Sequence, residues 1–248
     1  MSKAADTQAL CRSLVAVVNL AVENNGTCLM SFHKKVPPEI LHHSMNDEIA
    51  RHYLDRYLAG PYLLDPLYQL AIRTRQATAC RFRDTIPDRF HSSEYYRQYC
   101  ERTHLRDEMD FLLNTSDDST LVLVVGRFHK RYVKAELQRM RAIEAVIFAS
   151  MRSIWERWDN SSRRVKRKHD LHRRLTKCFD DFGDSQLTER ERQITQLLLR
   201  GHSAKSVARE LRIAPGTVMV HKRNLFAKLG ITSQYELFSL FIKDLSTI

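Results

Sequence analysis

The chain has little of what secretion, membrane anchoring or thiol chemistry requires. Its five cysteines, Cys11, Cys28, Cys80, Cys100 and Cys178, show neither pairing nor C-x-x-C spacing. An odd, scattered set implies reduced thiols and a cytoplasmic protein rather than a disulfide framework. The longest early apolar run, Leu14 to Val18, is broken at Asn19 and no cleavage-site pattern follows. No stretch approaches the ~20 apolar residues of a membrane span, so no membrane partner is expected. Catalytic groupings are also missing. Cys100 and His104, with Asp107 beyond, have thiol–imidazole spacing, but arginines interleave and no glycine-rich oxyanion loop follows. His169, His172 and Cys178 fall short of the four ligands of a structural metal site, and no cofactor is expected. The acidic pair that a phosphate-accepting receiver domain needs after its first strand is replaced by His33-Lys34-Lys35.

What is present is positive charge, and it is unevenly placed. The 248 residues carry a net charge of +11 and are 43% hydrophobic, enough for two packed domains. From Ser161 onward, 18 Lys and Arg face 9 Asp and Glu, a surplus of +9; the preceding part holds only +2. Basicity concentrated in one end is the footprint of a phosphate-binding surface.

That end is divided by punctuation into four helices. Thr188 and Glu191 have capping-box spacing. Gly201 stops the first helix, and a second runs from about Ser203 to Arg212. Pro215 opens a third, Gly230 ends it, and Ser233 with Glu236 opens a fourth. On the third helix Val218, His221, Leu225 and Leu229 form a core stripe. Met219, Val220, Arg223 and Ala227 lie on another face, flanked by Thr217, Lys222 and Lys228. Two helices joined by a short turn, the second with an exposed polar and basic face, suit the major groove of double-stranded DNA.

The motifs Leu187-Thr188-Glu189-Arg190-Glu191, Gly201-His202-Ser203-Ala204-Lys205-Ser206-Val207-Ala208, Thr217-Val218-Met219-Val220-His221 and Lys228-Leu229-Gly230-Ile231 resemble the LuxR-type (GerE-like) DNA-binding domain. The resemblance implies base-edge contacts from Met219, Val220 and Arg223, and surrounding DNA contacts from Lys205, Thr217, Lys222 and Lys228. Ala214 departs from the serine that usually caps the recognition helix, Ser206 replaces a usual Glu, and Met219 stands where Lys is common.

The remainder reads as an α+β sensor domain of GAF or PAS kind, an antiparallel sheet with helices outside. Helices are expected over Ala9–Val22, Asp47–Leu58, Pro66–Arg75 and Ser93–Thr103, with a long one over Val133–Trp158. Strands are expected over Thr27–Phe32, Arg81–Asp84, Met109–Asn114 and Leu121–Arg127. The segment Tyr57-Leu58-Ala59-Gly60-Pro61-Tyr62-Leu63-Leu64-Asp65-Pro66 resembles the ligand-sensing half of LuxR-type regulators, related to autoinducer-binding domains. There the carboxylate accepts a hydrogen bond from the ligand amide. The resemblance implies Asp65 as anchor and Tyr57, Tyr62 and Tyr68 as walls for an unidentified small-molecule ligand. Its tyrosines are offset by one residue, and the pocket tryptophans are absent. The alternative is that Asp65-Pro66 merely starts a helix and the tyrosines fill core.

The expected organisation is a sensor and dimerisation domain over residues 1–160, a basic linker over 161–185 and a helix-turn-helix domain over 186–248. Leu171, Leu175, Cys178 and Phe182 keep a helical stripe in the linker, which Gly183 would end. Met140, Ile143, Ile147, Met151, Ile154 and Trp158 would form a homodimer seam on the long helix. A dimeric bacterial transcription regulator under ligand control follows, with RNA polymerase a further possible partner. A ligand-independent scaffold in front of the same DNA-binding domain is the competing reading.

Overall fold

A computed structural model describes residues 3–101, 105–158 and 165–247. His104 and Ser161–Arg164 therefore lie outside the described residues, as does the side chain of His169.

The N-terminal half is a five-stranded antiparallel sheet in the order β2-β1-β5-β4-β3. Its strands are β1 (Gly26–His33), β2 (Glu39–His43), β3 (Thr78–Arg81), β4 (Leu105–Ser116) and β5 (Ser119–Phe128). Successive strand residues point to opposite faces. Met109, Phe111 and Leu113 of β4 accordingly meet Leu121, Leu123 and Val125 of β5 on one face. That face is covered by α1 (Lys3–Ala21), α4 (Lys134–Ala142) and α5 (Glu144–Arg157).

The opposite face carries Cys28, Met30, Leu112, Val122 and Val124. Over it lie α2 (Asp47–Leu58), a 3-10 turn at Pro61–Leu64 and α3 (Pro66–Ala71). Thus the expected α+β architecture is present, with β2 as an additional edge strand. Within the helix expected over Ser93–Thr103, Glu94 and Tyr95 are α-helical and Tyr96–Cys100 form a π-turn, while Arg102 and Thr103 lie outside the described residues.

Two expectations are corrected in α4 and α5. The single long helix is two, because Ile143 leaves helical geometry at φ −100° and ψ 5°. The proposed seam is also not free for a partner. Met140, Ile147, Met151 and Ile154 have no exposed surface and pack on the sheet of their own chain. Those side chains hold the fold, so any dimer contact must use other residues.

The segment expected as a linker carries α6 (Val165–Asp181), and Gly183 follows it at φ +76°. Leu175, Phe179 and Phe182 are buried, while Leu171 of the expected stripe is 40% exposed. His172, read from sequence as part of a solvated basic segment, is buried. Its Nδ1 pairs with the Tyr62 hydroxyl at 2.8 Å and its Nε2 with the Lys34 carbonyl at 2.9 Å. It ties α6 to the N-terminal half.

The last four helices are α7 (Glu189–Leu199), α8 (Ala204–Leu211), α9 (Pro215–Leu229) and α10 (Gln234–Leu245). Their core joins the one on the second face of the sheet through Phe179, Phe182 and Phe241.

Candidate nucleic-acid interface and sensor cavity

Local chemistry sets each helix of the C-terminal unit. Glu191 Nα donates to the Thr188 hydroxyl and Thr188 Nα to Glu191 Oε2 at 2.9 Å, a reciprocal capping box. The second box is only half formed. Ser233 caps Glu236 Nα, but the Glu236 carboxylate turns to Thr232. Gly201 and Gly230 take the left-handed conformations, φ +90° and +65°, that end α7 and α9. Ala214 caps α9 without a side-chain bond, as its missing hydroxyl dictates.

This punctuation fixes which side of α9 faces outward. Val218 and Leu225 are fully buried, whereas Met219 is 56% and Val220 48% exposed. Thr217 and Arg223 are exposed beside them, as is Lys205 in the first turn of α8. Large apolar side chains are rarely left on a surface without a partner when they share a patch. Lys222 is half-buried, its ammonium 5.2 Å from the Phe226 ring centroid; burial, then Arg89, lowers its pKa. Lys228 Nζ donates to Glu191 Oε2 at 2.6 Å, clamping α9 to α7. Of the seven expected contact residues, Lys228 thus also has a structural partner.

The turn between α7 and α8 is held by the sensor half. Arg89 Nα donates to the Gly201 carbonyl at 3.1 Å, and a Cβ on Gly201 would lie 3.1 Å from Phe90 Cα. The Asp88 carboxylate accepts from Ser203 Nα at 2.9 Å and from the Ser203 hydroxyl. It therefore sits at the positive N-terminus of α8, where an anion is favoured. No sequence pattern marked Asp88, because the contact spans 115 positions.

In the sensor half, a cavity of about 80 Å³ lies between the sheet and α2, with Tyr57, Asp65 and Glu108 among its lining. The four expected ligand residues separate here. Tyr57 and Asp65 line the cavity; Tyr62 and Tyr68 do not. The Tyr62 hydroxyl meets His172, and the Tyr68 hydroxyl donates to the His33 carbonyl at 3.1 Å. Asp65 Oδ1 accepts from Leu67 Nα at 2.9 Å, capping α3, and Oδ2 accepts from the Tyr57 hydroxyl at 2.7 Å. Burial pushes its pKa up to about 6 against these two hydrogen bonds.

A carboxyl raised above its unfolded value opposes folding once the pH exceeds the unfolded value, so ionised Asp65 is a net cost at neutral pH. Asp65→Asn keeps an acceptor for Leu67 and removes the charge; the melting temperature at pH 7 should hold level or rise. Asp65→Ala should lower it, since losing such a cap costs ~1 kcal/mol. Equal falls in the two melting curves would show that the charge itself stabilises the domain.

The Cys100 thiol is buried, and that burial raises its pKa well above the ordinary value, which leaves it a poor nucleophile. No two of the five cysteines are joined in a disulfide among the described residues. Among the described residues no His, Cys, Asp and Glu cluster could hold a metal. No described helix is long and apolar enough to cross a membrane.

Comparison with known proteins adds the lineage. The model of bacterial regulatory proteins, luxR family, matches residues 185–241. An HTH-type transcriptional regulator in the exeN 3'region of Aeromonas salmonicida is 31% identical over 159 residues, covering 62% of this chain and 81% of the relative. The monoamine regulon transcriptional regulator of Klebsiella aerogenes is 23% identical over 205 residues, covering 82% and 77%. The crystal structure of the VqsR LBD domain from Pseudomonas aeruginosa is similar with a TM-score of 0.54, covering 60% of this chain and 86% of that one at 22% identity. This last likeness concerns the fold.

Proposed function

The chain belongs to the luxR family of bacterial regulatory proteins, and on that premise we propose that it binds promoter DNA through α9 as a homodimer, under control of a small ligand in the N-terminal cavity. Its relatives are transcriptional regulators, not enzymes. The observation that carries the reading is the outer face of α9, where Thr217, Met219, Val220 and Arg223 stand exposed together on a helix clamped from behind. Arg223 and Met219 supply base contacts, while Lys205 and Lys222 serve the phosphates. Selection of bound duplexes from a randomised library tests this. A palindromic motif should be enriched, since a two-fold dimer reads two half-sites; no enrichment above input would overturn it.

The ligand acts by shifting the balance between arrangements of the two halves. Asp88 supports this, because its carboxylate occupies the α8 N-terminus that a DNA phosphate would use. Freeing that terminus with Asp88→Ala should raise operator affinity several-fold in a titration at fixed salt. Unchanged affinity would show that Asp88 and phosphate do not compete. Tyr57 and Asp65 are the ligand contacts this reading retains from the sequence.

A further inference from the structure

The acidity of the cavity identifies a class of ligand, an inference that rests on reading the N-terminal half as a sensor. Glu108 and Asp110 are two residues apart in β4, so both project from the face that carries Leu112. Glu108 lines the cavity and is 8% exposed. Asp110 has no exposed surface; its carboxyl faces that of Glu108, and among the described residues no other partner reaches its oxygens. Asp65 contributes a second carboxyl to the cavity wall, with Asp110 buried behind Glu108.

Asp65 is held by Leu67 and Tyr57, but among the described residues no cation pairs with Glu108 or Asp110. Among the described residues, no lysine, arginine or histidine lines the cavity. Arg81 pairs with Asp107, and Arg127 pairs with Glu23 and Glu136. Burying an unpaired carboxylate costs several kcal/mol, so an empty site holds protons instead. Burial pushes the Glu108 carboxyl up to about 8 against a hydrogen bond from Asp110, with Asp65 and Asp107 adding repulsion, and burial with the Glu108 charge also raises Asp110 well above the ordinary carboxyl value.

Beside the acid the sheet carries no side chains of its own, and Met45 and Leu105 close over the gap. Gly26 pairs with Gly126 and Gly126 with Glu108, so two residues without side chains share its cross-strand row. A Cβ on Gly26 would lie 2.8 Å from Met45 Cγ, and one on Gly126 would lie 3.2 Å from Leu105 Cδ1. The rest of the wall is apolar, including Met30, Leu54, Leu67, Val124 and Phe128.

We propose that the cavity takes a small organic cation, an ammonium group on a short apolar body, with Glu108 as its counter-ion and Asp110 behind it. An ammonium brings three donors and no acceptor, which matches a wall of carboxyl oxygens. The apolar body fills the space among Met30, Leu54 and Val124. A bare metal ion is a poorer occupant, since no metal-holding cluster exists among the described residues.

The test uses the full chain with butylamine, hexylamine and octylamine, each matched to the alcohol of equal length. Calorimetry and melting curves should show at least one amine binding at least ten-fold tighter than its alcohol. Glu108→Gln and Asp110→Asn should each weaken that amine at least ten-fold while leaving the melting temperature equal or higher. Alcohols binding as well as amines, or amine affinity unchanged in both variants, would overturn the inference, as would no response to any probe. Operator binding measured with the bound amine separates the two readings. If the amine binds through Glu108 but leaves operator affinity unchanged, the cation site stands and ligand control fails.

Discussion

Replacing Glu191 by alanine is expected to destabilise the C-terminal helices by about 3 kcal/mol, combining a lost cap of ~0.5–2 kcal/mol with a broken, partly buried ion pair. Three donors converge on this carboxylate: Thr188 Nα, the Thr188 hydroxyl and Lys228 Nζ. Its side chain is 4% exposed, and that of Lys228 is 39% exposed. The lysine can therefore turn to water when its partner goes, which holds the pair's share well below the ~3–5 kcal/mol of a fully buried pair. Glu191→Gln is the control. It retains an acceptor for the Thr188 N–H but loses the charge that attracts Lys228, so it should cost roughly half as much. The midpoint of the helical circular-dichroism transition under urea reads both variants. An alanine variant that melts with the wild type would mean that the clamp between α7 and α9 is ornamental. Lys228 would then be free to act solely on DNA.

Glu191 illustrates why the C-terminal domain was legible in the sequence. Its determinants are local: Thr188 with Glu191, Gly201, Pro215 and Gly230 each act within a few residues. Thr232 shows the limit of the same logic, since it takes the carboxylate that spacing assigned to the Ser233 box. The sensor half depends on contacts distant in sequence. β2, in which only Leu41 is buried, has no clear alternation and was not expected. Ile143 interrupts a helix with neither glycine nor proline to mark it. The stripe from Met140 to Ile154 was correctly apolar, but periodicity does not say whether a sheet or a second chain covers it. Glu108 and Asp110 were invisible for a related reason. Both faces of β4 are buried, so Asp107-Glu108-Met109-Asp110 shows no simple alternation; Glu108 fell outside the strand expected over Met109–Asn114, and nothing in that pattern set Asp110 inside it apart.

If α9 reads DNA as proposed, Arg223→Ala should cost ~1–3 kcal/mol of operator binding while relaxing preference at one base position per half-site. Its guanidinium is exposed on α9 beside Met219 and Val220. Of these three, only the arginine carries a donor fork suited to O6 and N7 of guanine. Met219, which cannot donate, offers apolar contact of the kind a thymine methyl group accepts. Lys205→Ala provides the contrast. As an exposed cation in the first turn of α8, it should weaken all sequences alike and reduce the salt slope by ~1. Lys228 is unsuited to that comparison because its ion pair with Glu191 mixes stability with affinity. Selections at fixed salt, repeated for each variant, separate the roles. If Arg223→Ala kept the selected motif intact while Lys205→Ala altered it, sequence would be read from α8 rather than from α9.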